Sequence, residues 1–357
     1  MYSYGRMQKE NKARINCYSV ERIDLAKYDN FVSKYGVIQQ SSQWLKSRIS
    51  KHCYPFVVMV ENSREILGAC GILYSKAFSN FLTGKFIIPG SPTLNDNIND
   101  KEKILEFLFS KIDEESKRRN VISIEWNTLW SQWKYKDILE KHNYQIKELK
   151  AWILNITNDE KEIYKKISSS HKRWINRAEK KYHITIYESN DVFSFYKLWK
   201  ETYKRRNKNL AASTLRNLEQ LYEFLAPKGM ARIIFARKDN SLLCGNFVLY
   251  LGDTIYYLHG GSISGQRYGA PHLLHWNLIK NGIQKGHKYY HFGGSWSKYS
   301  DRVRKKHAMG IDEFKRRFGA IPITFYCGDK ILSPFRHILH KKIRSLYYLY
   351  SNFLKKR

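Results

Sequence analysis

A chain of 357 residues has room for two ordinary domains. Its 43% hydrophobic and 15% aromatic content excludes wholesale disorder. The net charge of +31 is uneven, with +7 over residues 1–150, +17 over 151–330 and +7 over 331–357, a field that favours polyanions: nucleic acid, a nucleotide-linked substrate or an anionic membrane surface.

The N-terminus lacks the apolar core of a signal peptide, and no apolar run approaches the roughly 20 residues of a membrane helix. The five cysteines (17, 53, 70, 244, 327) are scattered and form no CxxC pair. No metal site or disulfide framework is expected, and a reducing, cytoplasmic setting is. Any membrane contact would be peripheral, at the inner face.

The first part reads as mixed α/β. Helical patterns near 38–49 and 101–119 flank strands near 55–60, 66–74 and 121–126. Phe56 to Val60, the polar stretch Glu61 to Glu65 and Ile66 to Ile72 spell a hairpin. Pro89-Gly90-Ser91-Pro92 opens a loop that runs to Asp100.

The second part repeats this grammar. A basic helix is expected over 160–181 and another over 191–206, followed by a hairpin of Arg232 to Arg237 and Leu242 to Tyr250. The two hairpins lie about 175 residues apart, which suggests an internal duplication. Next come a strand from Asp253 to His259, a Gly-rich loop, a helix from Pro271 to about Gln284, and a short strand, Tyr289 to Phe292.

A strand, a glycine-bearing turn and a helix opening on Pro form an anion site, because unpaired N–H groups point outward at the helix start. Acyl-CoA-dependent GNAT enzymes carry a Gln/Arg-x-x-Gly-x-Gly/Ala turn there, holding the pyrophosphate. Gln266-Arg267-Tyr268-Gly269-Ala270-Pro271 matches its first positions, but puts a residue without an N–H where the last small one belongs. The bland reading of the same stretch is a tight turn leading into a core helix.

Three later segments carry a broader resemblance: Gly-Ala-Pro-His-Leu-Leu-His-Trp-Asn-Leu-Ile-Lys (269–280), His-Lys-Tyr-Tyr-His-Phe-Gly-Gly (287–294) and Glu-Phe-Lys-Arg-Arg-Phe-Gly (313–319). Together with Ser168 to Lys180 and Gln40 to Lys46, they resemble, in order, the Fem family, which builds peptidoglycan interpeptide bridges from aminoacyl-tRNA. The resemblance spans about 38 to 320. It implies an α/β (α+β) fold of two tandem GNAT-like acyltransferase domains, each a mixed sheet flanked by helices, without a long coiled-coil arm. Domain 1 is expected over 1–155 for the acceptor, and domain 2 over 156–330 with the catalytic cleft and basic surface.

The resemblance also implies roles. Lys315, the lysine of Phe-Lys-x-x-Phe-Gly, would be catalytic, a cation stabilising the developing oxyanion, with Phe314 in the same cleft. Substrate binding falls to Trp44, Lys46, Arg206, Tyr256, Tyr257, His259, Gly293 and Gly294. Gln266, Arg267 and Gly269 of the turn, with Lys172, Arg173 and Arg177 of the basic helix, would hold donor phosphates. His291 stands where the family has Asp and reads as a core histidine rather than a base.

Each assignment has a plainer reading. Lys315 and Lys46 can be solvated basic residues, and Tyr256 and Tyr257 can be sheet packing. No nucleophilic triad, HExxH or Walker loop appears, so direct attack of an amine on an ester carbonyl is expected.

No cofactor or metal is called for. The expected partners of a monomer are aminoacyl-tRNA and a lipid- or UDP-linked muropeptide. Residues 335–354 space apolar side chains helically among basic ones, and residues 331–357 hold no acid. That tail reads either as an interfacial helix on anionic lipid or as a helix packed back on the first domain. Two rival functions stay open: a GNAT-type N-acyltransferase using acyl-CoA on a cell-surface sugar or amino acid, and a non-catalytic tRNA- or membrane-binding protein.

Overall fold

The computed structural model describes residues 13–76, 84–127, 129, 136–157, 159–206, 210–211, 214–295 and 302–343, with the backbone alone at 295 and 302–308. The chain divides into two compact units, residues 1–147 with 326–357, and residues 148–325.

Unit 1 contains β1 (Arg14–Ser19), α1 (Leu25–Tyr35), α2 (Ser42–Lys46), β2 (Cys53–Glu61), β3 (Ile66–Ser75), β4 (Lys85–Pro89), β5 (Thr93–Leu94), α3 (Lys101–Arg118), β6 (Ser123–Asn127) and α4 (Lys136–Lys141). Its sheet runs β1-β2-β3-β4-β6, with β5 added against β3. The expected hairpin is β2–β3. Asn62 makes its turn by accepting from the N–H groups of Arg64 and Glu65 at 2.9 Å, an Asx turn that replaces ladder bonds locally. The 104, 105, 108, 112 stripe of α3 is buried on the sheet, in a core with Phe86, Phe109 and Trp126.

Unit 2 contains β7 (Gln145–Asn155), which starts just before its boundary, then α5 (Glu160–Lys166), α6 (Ser169–Asn176), β8 (Thr185–Ser189), α7 (Val192–Lys204), α8 (Thr214–Leu225), β9 (Ala231–Lys238), β10 (Ser241–Leu251), β11 (Thr254–Ser262), α9 (Ala270–Gln284), β12 (Tyr289–Ser295) and α10 (Arg302–Arg316). Its sheet runs β7-β12-β11-β10-β9-β8. The β11–β12 pair is parallel and the others are antiparallel. Helix α9 crosses the sheet on Leu274, Leu278 and Ile279, over Val248, Ile255 and Tyr290. The last strand, β13 (Ile321–Ile331), enters unit 1 and pairs antiparallel with β6 from Cys327 to Ile331.

Several local expectations change. The single basic helix of 160–181 is two helices and a π turn, Arg177–Lys181. Ser168 makes the break, because its hydroxyl caps α6 by accepting from the His171 N–H. β7 was not foreseen, since its first half, Gln145 to Lys150, holds four polar residues in six, and it moves the unit boundary from 155 to 147. The basic segment before Phe314 is helical from 302, and residues 296–301 lie outside the described residues.

Of the 335–354 tail, residues up to 343 are described. A helix starts at 334, with His340 buried, Phe335 and Ile338 exposed, and Arg336 donating to the Asn120 carbonyl at 3.3 Å. No helix among the described residues is long and apolar enough to cross a membrane.

Candidate active site

The site follows from how two strands part. β11 and β12 are paired only from Thr254↔Tyr289 to Tyr256↔His291. Beyond that point β12 shifts register against β7 between His291 and Gly293, and Gly293 takes a φ of 80° that suits glycine. The opening holds a cavity of about 280 Å3. Asn246 of β10, Tyr257 of β11, Pro271 and His275 of α9, and Phe314 and Lys315 of α10 line it, among others.

Lys315 is 5% exposed. Its ammonium donates to the carbonyls of Gly294 at 2.9 Å and Gly293 at 3.3 Å. Burial lowers its pKa to about 8, against the pull of Asp312, so it remains a cation at pH 7. Two of its three N–H donors are spent on carbonyls, which leaves one for an oxygen in the cavity. Phe314 is wedged among rings, 5.0 Å from His171, 5.1 Å from His272 and 5.5 Å from His275. Burial pushes His272 and His275 down to about 3, so this ring cluster is neutral.

Thr202, Arg205 and Arg206, at the end of α7, line the cavity with Arg267, and no carboxylate does. Arg205 is fixed by donating to the Ser262 carbonyl at 2.6 Å and to its hydroxyl at 2.9 Å. Arg206 and Arg267 are exposed, and their side chains make no hydrogen bond or ion pair among the described residues. Gly261 sets this geometry, because a Cβ there would run into the α7 backbone at Leu198 and Trp199. Only glycine lets α7 lie this close.

The helix end of the 266–271 turn offers no free amide. The Ala270 N–H donates to the Arg267 carbonyl at 2.8 Å, Pro271 has none, and those of His272 and Leu273 donate to the Gly269 carbonyl at 2.9 and 3.2 Å. Gly269, at φ 78°, is also closely covered: a Cβ there would meet the Trp174 carbonyl at 2.7 Å. Gln266 is exposed and off the cavity, whereas Arg267 lines it.

The three β11 residues separate. Tyr257 lines the cavity, with its hydroxyl pushed up to about 12 by burial. Tyr256 is buried with its ring 6.1 Å from that of His291, and His259 stacks at 4.1 Å on Trp199; neither lines the cavity. His291 accepts from the Gly293 N–H at 3.0 Å, and burial lowers it to about 3. It shapes the glycine turn that Lys315 binds. Gly293 and Gly294 therefore meet Lys315 through their carbonyls.

Lys172, Arg173 and Arg177 lie together elsewhere on unit 2. They line an open groove of about 610 Å3 with Ser169, Asn176, Lys180 and Lys181. Trp44 and Lys46 belong to unit 1. Trp44 is buried beneath the Arg48 guanidinium, 4.3 Å above its ring, while Lys46 is half-buried and makes no hydrogen bond or ion pair among the described residues.

Sequence reasoning missed Arg205 and Asn246. Asn246 is 5% exposed, and its Nδ2 has no partner. Its signal was available: an amide inside the apolar run Leu242 to Tyr250 is a buried polar group that asks for a reason.

Comparisons with known proteins agree with this geometry. A family model described as an acetyltransferase (GNAT) domain matches residues 165–316. A UDP-N-acetylmuramoylpentapeptide-lysine N(6)-alanyltransferase of Weissella viridescens is 29% identical over 105 residues, a stretch that spans 29% of this chain and 29% of that protein. Among solved structures, FemX matches with a TM-score of 0.73 at 16% identity, covering 89% of this chain and 99% of that one. A tandem GNAT protein from the clavulanic acid biosynthesis pathway matches with a TM-score of 0.57 at 8% identity, over 90% and 99%. At such identities the structures speak for the fold. Residues 165–316 thus resemble a GNAT acetyltransferase domain, and the chain as a whole shares its fold with FemX and with a tandem GNAT protein.

Proposed function

We propose that this protein is an aminoacyltransferase that moves an amino acid from aminoacyl-tRNA to an amine of a lipid- or UDP-linked muropeptide. The observation that carries this reading is Lys315, a cation held on two carbonyls in the cavity with one N–H to spare. An amine attacking the ester carbonyl forms a C–N bond and puts negative charge on the carbonyl oxygen, which the Lys315 ammonium stabilises. Collapse breaks the C–O bond to the terminal ribose. The ribose oxygen takes up a proton as the new amide nitrogen loses one, through water or substrate.

The basic groove and the Arg206–Arg267 rim suit a polyanionic donor. The similarity to the Weissella viridescens alanyltransferase supports the muropeptide as acceptor. Phe335 and Ile338, exposed beside Arg336, would suit peripheral contact with an anionic membrane carrying a lipid-linked acceptor.

The acyl-CoA reading keeps one specific point in its favour, the Gln266-Arg267-x-Gly269 pattern, but at the helix end of that turn Ala270 spends its N–H on the Arg267 carbonyl and Pro271 has none. The deciding experiment compares thermal shifts with UDP-MurNAc-pentapeptide, bulk tRNA, CoA and acetyl-CoA, since a ligand that binds only the folded state raises the melting point. Stabilisation by the muropeptide nucleotide that disappears in Lys46→Ala, with none by CoA, is the expected result. Stabilisation by CoA alone transfers the case to the second reading.

A further inference from the structure

One residue touches both the basic groove, through Arg177, and the Gly269 turn that leads to the cavity. Trp174 of α6 is 40% exposed, although α6 buries its neighbouring turns through His171 and Ile175. Its indole lies nearly parallel to the neutral His272 ring, at 6.2 Å and 24°. The Arg177 guanidinium sits over the indole at 5.7 Å.

Arg177 belongs to the groove, whose lining counts five cations and no carboxylate. On the other side, the Trp174 carbonyl covers the Gly269 turn that leads to Pro271 and His275 of the cavity. Helical spacing accounts for this placement. Residues 169, 172, 173, 176 and 180 share one face, 171, 175 and 178 the buried face, and 174 the edge between them.

An exposed aromatic between a phosphate-binding groove and a reaction cavity has the chemistry of a base-stacking platform. Every base offers a π face, and stacking on an indole contributes about 1–3 kcal/mol per base. The planar guanidinium of Arg177 now covers the ring, and it has no carboxylate partner among the described residues, so it is free to turn to a phosphate. We propose that Trp174 stacks a base of the unpaired 3′ end of the donor RNA, directing the esterified terminus from the groove into the cavity. This rests on the reading of the donor as aminoacyl-tRNA.

The test measures binding of the full chain to intact tRNA and to the same tRNA trimmed of its single-stranded 3′ nucleotides. Trp174→Ala should weaken intact tRNA about tenfold, leave the trimmed form unchanged, and raise KM for aminoacyl-tRNA more than it lowers kcat. Trp174→Phe should recover most of the loss. Lys180→Ala with Lys181→Ala should instead weaken both RNAs alike and flatten the salt dependence.

Equal affinities for the two RNAs in Trp174→Ala and wild type would overturn the inference. So would equal weakening of both, because a purely structural tryptophan does not sense the 3′ end. Trp174→Phe guards against a folding defect in the alanine variant. If the wild-type protein binds neither RNA, the donor assignment itself falls, and the stacking role falls with it; that outcome is distinct from a protein that binds both and ignores Trp174.

Discussion

In unit 1 the parallel pair β4–β6 stays zipped over the whole of β4, from Lys85↔Ser123 to Pro89↔Asn127. In unit 2 the corresponding pair, β11–β12, is in contact for three residues and then opens. The helices that follow differ as well. α3 starts behind Asp100, whose carboxylate accepts from the Lys103 N–H and puts a negative charge at the helix start. α9 starts behind Gly269 without a side-chain cap. The same strand-helix-strand plan yields a filled core in one unit and a cationic cavity in the other. What separates them is a handful of glycines, a buried lysine and the ring cluster that seats it.

The sharpest way to break this contrast is at Lys315. Lys315→Met should lower kcat of aminoacyl transfer by about 10²–10³-fold, as expected for loss of an oxyanion-stabilising charge. On the proposed mechanism the active form is the ammonium, so the rate should fall as pH rises through about 8. Lys315→Arg, which keeps its charge to much higher pH, should lose that alkaline limb. A rate insensitive to both substitutions would remove Lys315 from the chemistry.

The next test closes the opening from behind. Gly261→Ala forces a Cβ against the α7 backbone, and should cost about 1–3 kcal/mol in urea unfolding. It should also raise KM by displacing Arg205 and Arg206. An unchanged KM would mean those arginines do not touch substrate.

Acid should discriminate between the units. Burial holds His272, His275 and His291 of unit 2 neutral, each down to about 3 from an ordinary value near 6.5. Between those limits the unfolded chain binds more protons, so their contribution is whole above pH 6.5 and drains away as pH falls toward 3. Hydrogen exchange should show β11, β12 and α9 opening first on acidification. Simultaneous loss of protection in α3 would contradict that order.

The smallest effect belongs to unit 1. Asp100→Ala removes a helix cap and should cost about 1 kcal/mol with turnover unchanged. Altered turnover would mean that α3 bears on the reaction.

The fold was largely legible because its signals are local. The β2–β3 and β9–β10 hairpins announced themselves through apolar runs around polar turns, and α9 through Gly269 and Pro271. β7 escaped because its polar alternation resembles loop sequence until its hydrogen bonds to β12 are known. Tyr256, Tyr257 and His259 could not be sorted by motif. Tyr256 and Tyr257 are adjacent and face opposite sides, and the register shift opposite Phe247 and Val248 turns His259 away from the Tyr257 face.

Sequence by itself determined the two-unit plan, the basic surface and the Phe314-Lys315 pair, since each is written in composition or in a short ordered pattern. Tertiary structure decided the rest. It put Lys315 on the Gly293 and Gly294 carbonyls, and laid the Trp174 carbonyl over Gly269. It also left Trp174 40% exposed, beneath Arg177 of the groove. Those outcomes depend on which segments come to lie against one another, and no local pattern encodes that.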